Sequence, residues 1–226
     1  MKDRSRIALY GGTFDPVHNG HMSVARALLK LFRLDEMVFI PAHVAPHKRD
    51  QMVSPGLQRY AMLALATQGE RQMRVSTFEL ESPERPYTVE TLSRMKGKYG
   101  DGAQLFFVMG ADSWADIRTW REWERVLTLT NHIVMARPGY EQDASHITPV
   151  IRERVVDLRG ADEARIAGVV AESETEKIYV TDAVQMDISA TRVRKLVSAG
   201  SDEWPALVPQ PVAEFIGKYR LYRDKA

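Results

Sequence analysis

Two histidines three positions apart, in the stretch GGTFDPVHNGH (residues 11–21), pose the first chemical question. Gly11 and Gly12 follow the apolar run IALY, and glycines at that point are able to take positive φ and bring backbone N–H groups close to a ligand. Asp15-Pro16 sets a turn and a helix opens near Asn19, so His18 and His21 project the same way beside its positive end. Two imidazoles there make a donor cluster for an anion, and phosphate is the natural one. The same pair has the spacing to hold a metal, but no third ligand is offered nearby, as zinc requires. Plainer readings stand beside this one. Paired glycines after a strand also make simple turns, and a helix histidine is commonly a surface or core residue.

A second candidate lies in DISATRVRK, residues 187–195. Ser189 suits a helix cap, which puts Thr191, Arg192 and Arg194 in the first turn. Cations are unfavourable at that end of a helix unless an anion compensates them, so the arginines point to bound phosphate. A surface ion pair with Asp187 is the alternative.

Those residues need elements to hold them. RIALYGG reads as a strand, and His21, Ala25, Leu28 and Phe32 mark one face of a helix over 19–32. EMVFIPA (36–42) is a second strand. A helix capped by Ser54 follows, with Leu57, Ala61, Ala64 and Leu65 on its buried face. Further strands are expected at 73–80, 104–110, 132–139 and 177–183, with helices over 88–100 up to Gly100, from Ser189 to Gly200, and over 212–222. Residues 140–176 are polar and show only weak helical stretches near 147–158 and 161–171. Strands alternating with helices imply an α/β fold. It is a Rossmann-like, doubly wound, mainly parallel sheet with helices on both faces and a small helical C-terminal part, about 189–226. Ligands in such sheets sit beyond the carboxyl ends of the strands, which aligns Gly11, Pro41, Gly110 and Arg137 on one rim. With no repeat or linker, the expectation is a single domain over 1–226.

Composition narrows the partners. Thirty-one Lys and Arg against thirty Asp and Glu leave a formal charge of +1, so no overall field recruits nucleic acid or a membrane surface. The absence of cysteine removes disulfides and thiolate chemistry and suits a reducing cytoplasm. The opening MKDRSRIALYGG is too short in apolar residues for a signal peptide, and no run reaches the roughly 18 apolar residues of a spanning helix.

GGTFDPVHNGH and ISATRVR resemble the paired signatures, H-x-G-H and I-S-[ST]-T-x-x-R, of a nucleotidyltransferase superfamily. PAHVAPHK (41–48), RPYTVETL (85–92), GADSWADIRTWREW (110–123), ARPGY (136–140) and the tail PQPVAEFIGKYRLYR extend the likeness nearly end to end, to the bacterial nicotinate-nucleotide adenylyltransferases. The resemblance implies attack of the 5′-phosphate of nicotinate mononucleotide on the α-phosphate of ATP. The products would be nicotinate adenine dinucleotide and pyrophosphate, with no covalent intermediate, and magnesium would be held mainly by phosphates and water. It implies catalytic roles for His18, His21 and Arg194, with ATP on Gly11, Gly12, Thr13, Phe14, Lys48, Gly110, Asp112, Arg137, Ile188 and Ser189. The pyridine ring would stack on Trp120, with Thr88 at the nicotinate end. Trp120 and Trp123, at spacing three, would otherwise read as core on one helix face, and two of the three tryptophans with Trp114 are expected there. Two positions depart from the family pattern. His43 stands where relatives carry asparagine, and Arg121 stands where an aromatic often follows the stacking tryptophan; both are candidate substrate contacts. Nicotinamide mononucleotide as acceptor, or an idle nucleotide-binding regulator, are the alternatives, and a homo-oligomer is left open.

Overall fold

The computed structural model describes residues 4–43, 53–136, 146–182 and 188–223. Seven strands are found among them: β1 (Ser5–Gly12), β2 (Glu36–Pro41), β3 (Met73–Val75), β4 (Ala103–Gly110), β5 (Asn131–Met135), β6 (Val155–Asp157) and β7 (Ile178–Thr181). They hydrogen-bond in the order β3-β2-β1-β4-β5-β7-β6. The pairs β1–β4, β4–β5, β5–β7 and β6–β7 are parallel. The order reverses at β1 and β4, the switch point at which doubly wound sheets bind ligands. No helix among the described residues is long and apolar enough to cross a membrane.

Contacts gather the chain into two compact units. The first comprises Met1–Gly11, Ala27–Val38 and Pro86–Gln185. Its strands are near-continuous apolar runs, as parallel strands buried on both faces must be: Leu105 to Met109 and Ile178 to Val180 are all buried. Phe32, Phe106 and Tyr179 meet edge-on or tilted at 5.8–6.3 Å. Helices α3 (Thr88–Tyr99) and α7 (Glu163–Glu172) bury Val89, Leu92, Met95 and Ile166, Val170. Gly100, at φ +61, ends α3 as its position in the sequence predicts. The Gly110↔Met135 and Met135↔Thr181 register aligns the carboxyl ends of β4, β5 and β7.

The second unit comprises Gly12–Arg26, Phe39–Arg85 and Met186–Ala226. It holds most of helix α1 (Asn19–Leu31), with α2 (Gly56–Thr67), α8 (Ala190–Ser198) and α9 (Gln210–Tyr219). Its core includes Phe14, Phe39, Met62, Leu63, Val193, Val197, Val212 and Ile216.

Several expectations are corrected. Ser54 does not cap α2, which begins after Pro55; the Ser54 N–H donates instead to Asp15. The buried face of α2 carries Arg59, Met62, Leu63 and Thr67, and Leu57 is 79% exposed, because the buried Arg59 fixes the helix rotation. The strand expected over 73–80 stops at Val75. Ser76 N–H still donates to Phe39 O, but the Ser76 hydroxyl then accepts from Phe78 N and turns the chain. The stretch 147–158 is a short helix α6 (Pro149–Arg152) and the edge strand β6, whose three residues are too few to show alternation. The last helix ends at Tyr219, where Arg220 takes a left-handed conformation.

Candidate active site

In the second unit the histidine motif forms a donor pair. His18 caps α1, and its backbone N–H donates to Nδ1 of His21 at 3.2 Å. His21 thus fills the role a Glu or Gln commonly plays three residues into a helix. Because Nδ1 accepts, the neutral His21 ring carries its hydrogen on Nε2. The two rings stack at 3.7 Å and 27°, and Phe14 packs edge-on to His21 at 5.0 Å. His18 is 6% exposed, and burial pushes its pKa down to about 4, so it is a neutral donor at physiological pH. Its Nδ1 is buried without a hydrogen-bond partner. That nitrogen lies only 3.0 Å from where a Cβ on Gly20 would stand, which is why position 20 is glycine.

The two leading glycines are needed for space and not for a special φ. Neither is among the positive-φ residues; Phe14, at φ 50, makes the turn instead. A Cβ on Gly12 would come within 2.8 Å of the Phe14 ring, and one on Gly11, in the first unit, within 3.2 Å of Phe107. Phe14 is 2% exposed, and its side chain is a shelf under His21.

Ser189 caps α8, accepting from Arg192 N at 3.2 Å. An accepting hydroxyl still has its own hydrogen to donate. Arg194 lies one turn further in than the sequence suggested. Its Nη1 donates to Asp15 O at 2.7 Å and its Nη2 to Thr191 Oγ1 at 3.4 Å, which brings residues 179 positions apart together. Ile188 stands 3.7 Å from the Gly20 Cβ position.

Three residues whose tertiary contacts the sequence did not reveal organise this unit. Arg59, 1% exposed, donates to the carbonyls of Ser54, Thr13 and His43 at 2.8–3.0 Å. Burial lowers its pKa and Asp15 opposes that effect; a guanidinium nevertheless stays charged. Asp15, 2% exposed, accepts from Tyr222 Oη at 2.6 Å and from Ser54 N at 3.0 Å. An apolar-face count could not have found Arg59. The spacing from Asp15 to Tyr222 is 207 residues, beyond any local pattern.

In the first unit, Trp120 is half-buried with its ring edge-on to Phe107 at 6.3 Å. Of the three tryptophans only Trp114 is buried, at 3% exposure. Trp120 and Trp123 do not share a helix, since a 3-10 turn over Ile117–Thr119 ends before Trp120 and α5 (Trp123–Leu129) begins after it. Thr88 opens α3, and the preceding Tyr87 stacks under the Arg121 guanidinium at 4.7 Å. Arg121 also lies 4.0 Å from Glu90. Arg121, next in the chain to Trp120, thereby lies beside the start of α3, where Thr88 stands. Gly110 precedes α4 (Ala111–Ala115), in which Asp112 is exposed; a Cβ on Gly110 would meet nothing within 4 Å among the described residues. Lys48 and Arg137 lie outside the described residues.

Residues 9–196 match the cytidylyltransferase-like family. Curated relatives named as probable nicotinate-nucleotide adenylyltransferases align over nearly the whole chain. One from Desulfatibacillum aliphaticivorans is 35% identical, covering 96% of this chain and 99% of its own length. One from Corynebacterium glutamicum is 34% identical, covering 100% and 92%. Among solved structures, Plasmodium falciparum nicotinic acid mononucleotide adenylyltransferase complexed with NaAD superposes with a TM-score of 0.71 at 19% identity, over 96% of this chain and 97% of that one, a likeness of fold. By the extent of these matches, the chain belongs to the cytidylyltransferase-like family and, within it, to the nicotinate-nucleotide adenylyltransferases.

Proposed function

We propose that the chain transfers the adenylyl group of ATP to nicotinate mononucleotide, forming nicotinate adenine dinucleotide and releasing pyrophosphate. The observation that carries this reading is the His18–His21 pair, two imidazoles locked together at the start of a helix, in the unit where Arg194 is held on the Asp15 carbonyl. An oxygen of the mononucleotide phosphate attacks the α-phosphorus of ATP, a new P–O bond forms, and the bond to the bridging oxygen of the pyrophosphate breaks. No side chain takes a covalent share. Such a displacement needs placement and charge stabilisation, each donor acting where negative charge grows.

Within the second unit, His18 and His21 donate to the phosphates of ATP, with the Gly12–Phe14 backbone, Ile188, and Ser189 and Arg194 on its β and γ groups. Within the first unit, Gly11, Gly110 and Asp112 meet the nucleotide. Trp120 and Thr88 hold the pyridine end, and Arg121 adds positive charge beside them. Among the described residues no group of three or more His, Cys, Asp or Glu could hold a metal ion. Magnesium brought with ATP would be held by phosphate oxygens and water, its usual ligands, and would supply neutralisation of charge there. The family's cytidylyltransferase-like description does not set the nucleotide; ISATRVR favours an adenylyl donor.

The test is to incubate the protein with ATP, magnesium and each mononucleotide and follow pyrophosphate. Release with nicotinate mononucleotide well above that with the amide supports the reading. A folded protein that releases none with either would sink it.

A further inference from the structure

The tail after α9 bends sharply: Arg220 and Tyr222 take left-handed backbone conformations, φ 51 and 61. A tyrosine adopts this region at a cost, so it persists only where tertiary contacts hold it. What holds it is the Tyr222 hydroxyl on Asp15 Oδ1 at 2.6 Å, with Met62 Sδ 3.8 Å away. Burial first, and then the charge of Asp15, push the tyrosine pKa above its ordinary value, so the hydroxyl stays a donor.

Asp15 is thus engaged on both carboxylate oxygens, by Tyr222 and by Ser54 N–H, while its backbone carbonyl, with the Thr191 hydroxyl, takes the Arg194 guanidinium. The division matters electrostatically. A carbonyl orients an arginine and leaves its charge uncompensated, whereas a carboxylate would bind it bidentately and neutralise it. The carboxylate that Tyr222 and Ser54 hold belongs to the same residue as the carbonyl on which Arg194 rests, and its charge also offsets the burial of Arg59.

We propose that Tyr222 is a positioning residue that withholds the Asp15 carboxylate from Arg194 and so keeps the guanidinium available to phosphate. The proposal rests on reading Arg194 as a phosphate ligand. Removing the hydroxyl frees Asp15 Oδ1 to turn toward Arg194, the cation already held on the same residue's carbonyl, while Arg59, which also feels the Asp15 charge, stays tied to its three carbonyls; Arg194 is then captured within the protein. Removing the carboxylate charge as well ends the capture.

The test is a cycle of Tyr222→Phe, Asp15→Asn and the double variant. It is read by calorimetric binding of inorganic pyrophosphate and by kcat/KM for ATP, at a temperature where all give native circular dichroism. Tyr222→Phe is expected to weaken pyrophosphate binding about tenfold, and the double variant to return to within about threefold of Asp15→Asn alone. Tyr222→Met replaces Tyr222→Phe in the cycle if phenylalanine destabilises the tail. Unchanged binding in Tyr222→Phe, or losses that simply add in the double variant, would overturn the proposal; additive losses are what a purely structural tyrosine gives. Because pyrophosphate binding needs no acceptor, a protein that passes this cycle yet transfers no adenylyl group contradicts the proposed reaction and leaves the positioning role supported.

Discussion

His18 donates its backbone N–H to Nδ1 of His21 at 3.2 Å while the two rings stack 3.7 Å apart. One histidine therefore has two distinct nitrogens: Nδ1 closes the helix start, and Nε2 carries the ring hydrogen. Their roles are separable. His21→Asn places an oxygen where Nδ1 stands and removes the donor at Nε2. The melting temperature is expected to stay close to that of the parent, while kcat falls by two orders of magnitude or more, about 3 kcal/mol of transition-state stabilisation. His21→Ala should lose both. Thermal melts and steady-state rates on the two variants decide it: equal activity in His21→Asn and parent would remove the ring from the chemistry.

Gly12 and Gly110 make a contrasting pair. A Cβ on Gly12 would press to 2.8 Å on the Phe14 ring, which itself supports His21. Gly12→Ala is expected to cost about 1–3 kcal/mol of stability through overpacking. A Cβ on Gly110 meets nothing within 4 Å, and the backbone there, φ −80, suits any residue. Among the described residues nothing demands glycine at 110, so a ligand should. Gly110→Ala is expected to melt like the parent and to raise KM for ATP severalfold; an unchanged KM would take Gly110 out of the nucleotide site.

The sequence was informative where chemistry is local. The strand–glycine–histidine unit, the Ser189 cap and the Gly100 stop all depend on residues within a few positions, and all stand in the structure. It was silent where tertiary contacts decide. Arg59 looks like a surface charge until three carbonyls converge on it, and Leu57 looks like core until Arg59 turns α2 away. Arg194 and Tyr222 meet Asp15 across 179 and 207 residues, so no window along the chain reveals them. The edge strand β6 was hidden because three residues carry no period.

Arg121 bears on acceptor choice. Its guanidinium rests on the Tyr87 ring at 4.7 Å beside the start of α3, with Glu90 4.0 Å away. With a side chain 56% exposed, its field is screened, so the effect is modest. Arg121→Ala is expected to lower kcat/KM for nicotinate mononucleotide by about three- to tenfold and to leave the uncharged amide nearly unaffected. Paired kinetics on the two acceptors test this; equal losses on both would make Arg121 a packing residue and not a reader of the carboxylate.

Two buried histidines set the acid limit of stability. Burial lowers His18 to about 4 and His132 to about 3, the latter 0% exposed with Nδ1 3.1 Å from Thr130 O. The unfolded chain binds a proton on each near pH 6.5, and the folded chain does not until the pH reaches those lower values. Between them the unfolded state holds more protons, so stability must fall as pH drops from about 6.5 toward 4, with each histidine adding a slope of up to about 1.4 kcal/mol per pH unit. His132→Gln cannot take up that proton. Its melting temperature, lower at neutral pH for the changed packing, is expected to decline roughly half as steeply between pH 6.5 and 4 as the parent's. Scanning calorimetry across that window measures the two slopes, and parallel curves would show that His132 is not buried in its neutral form.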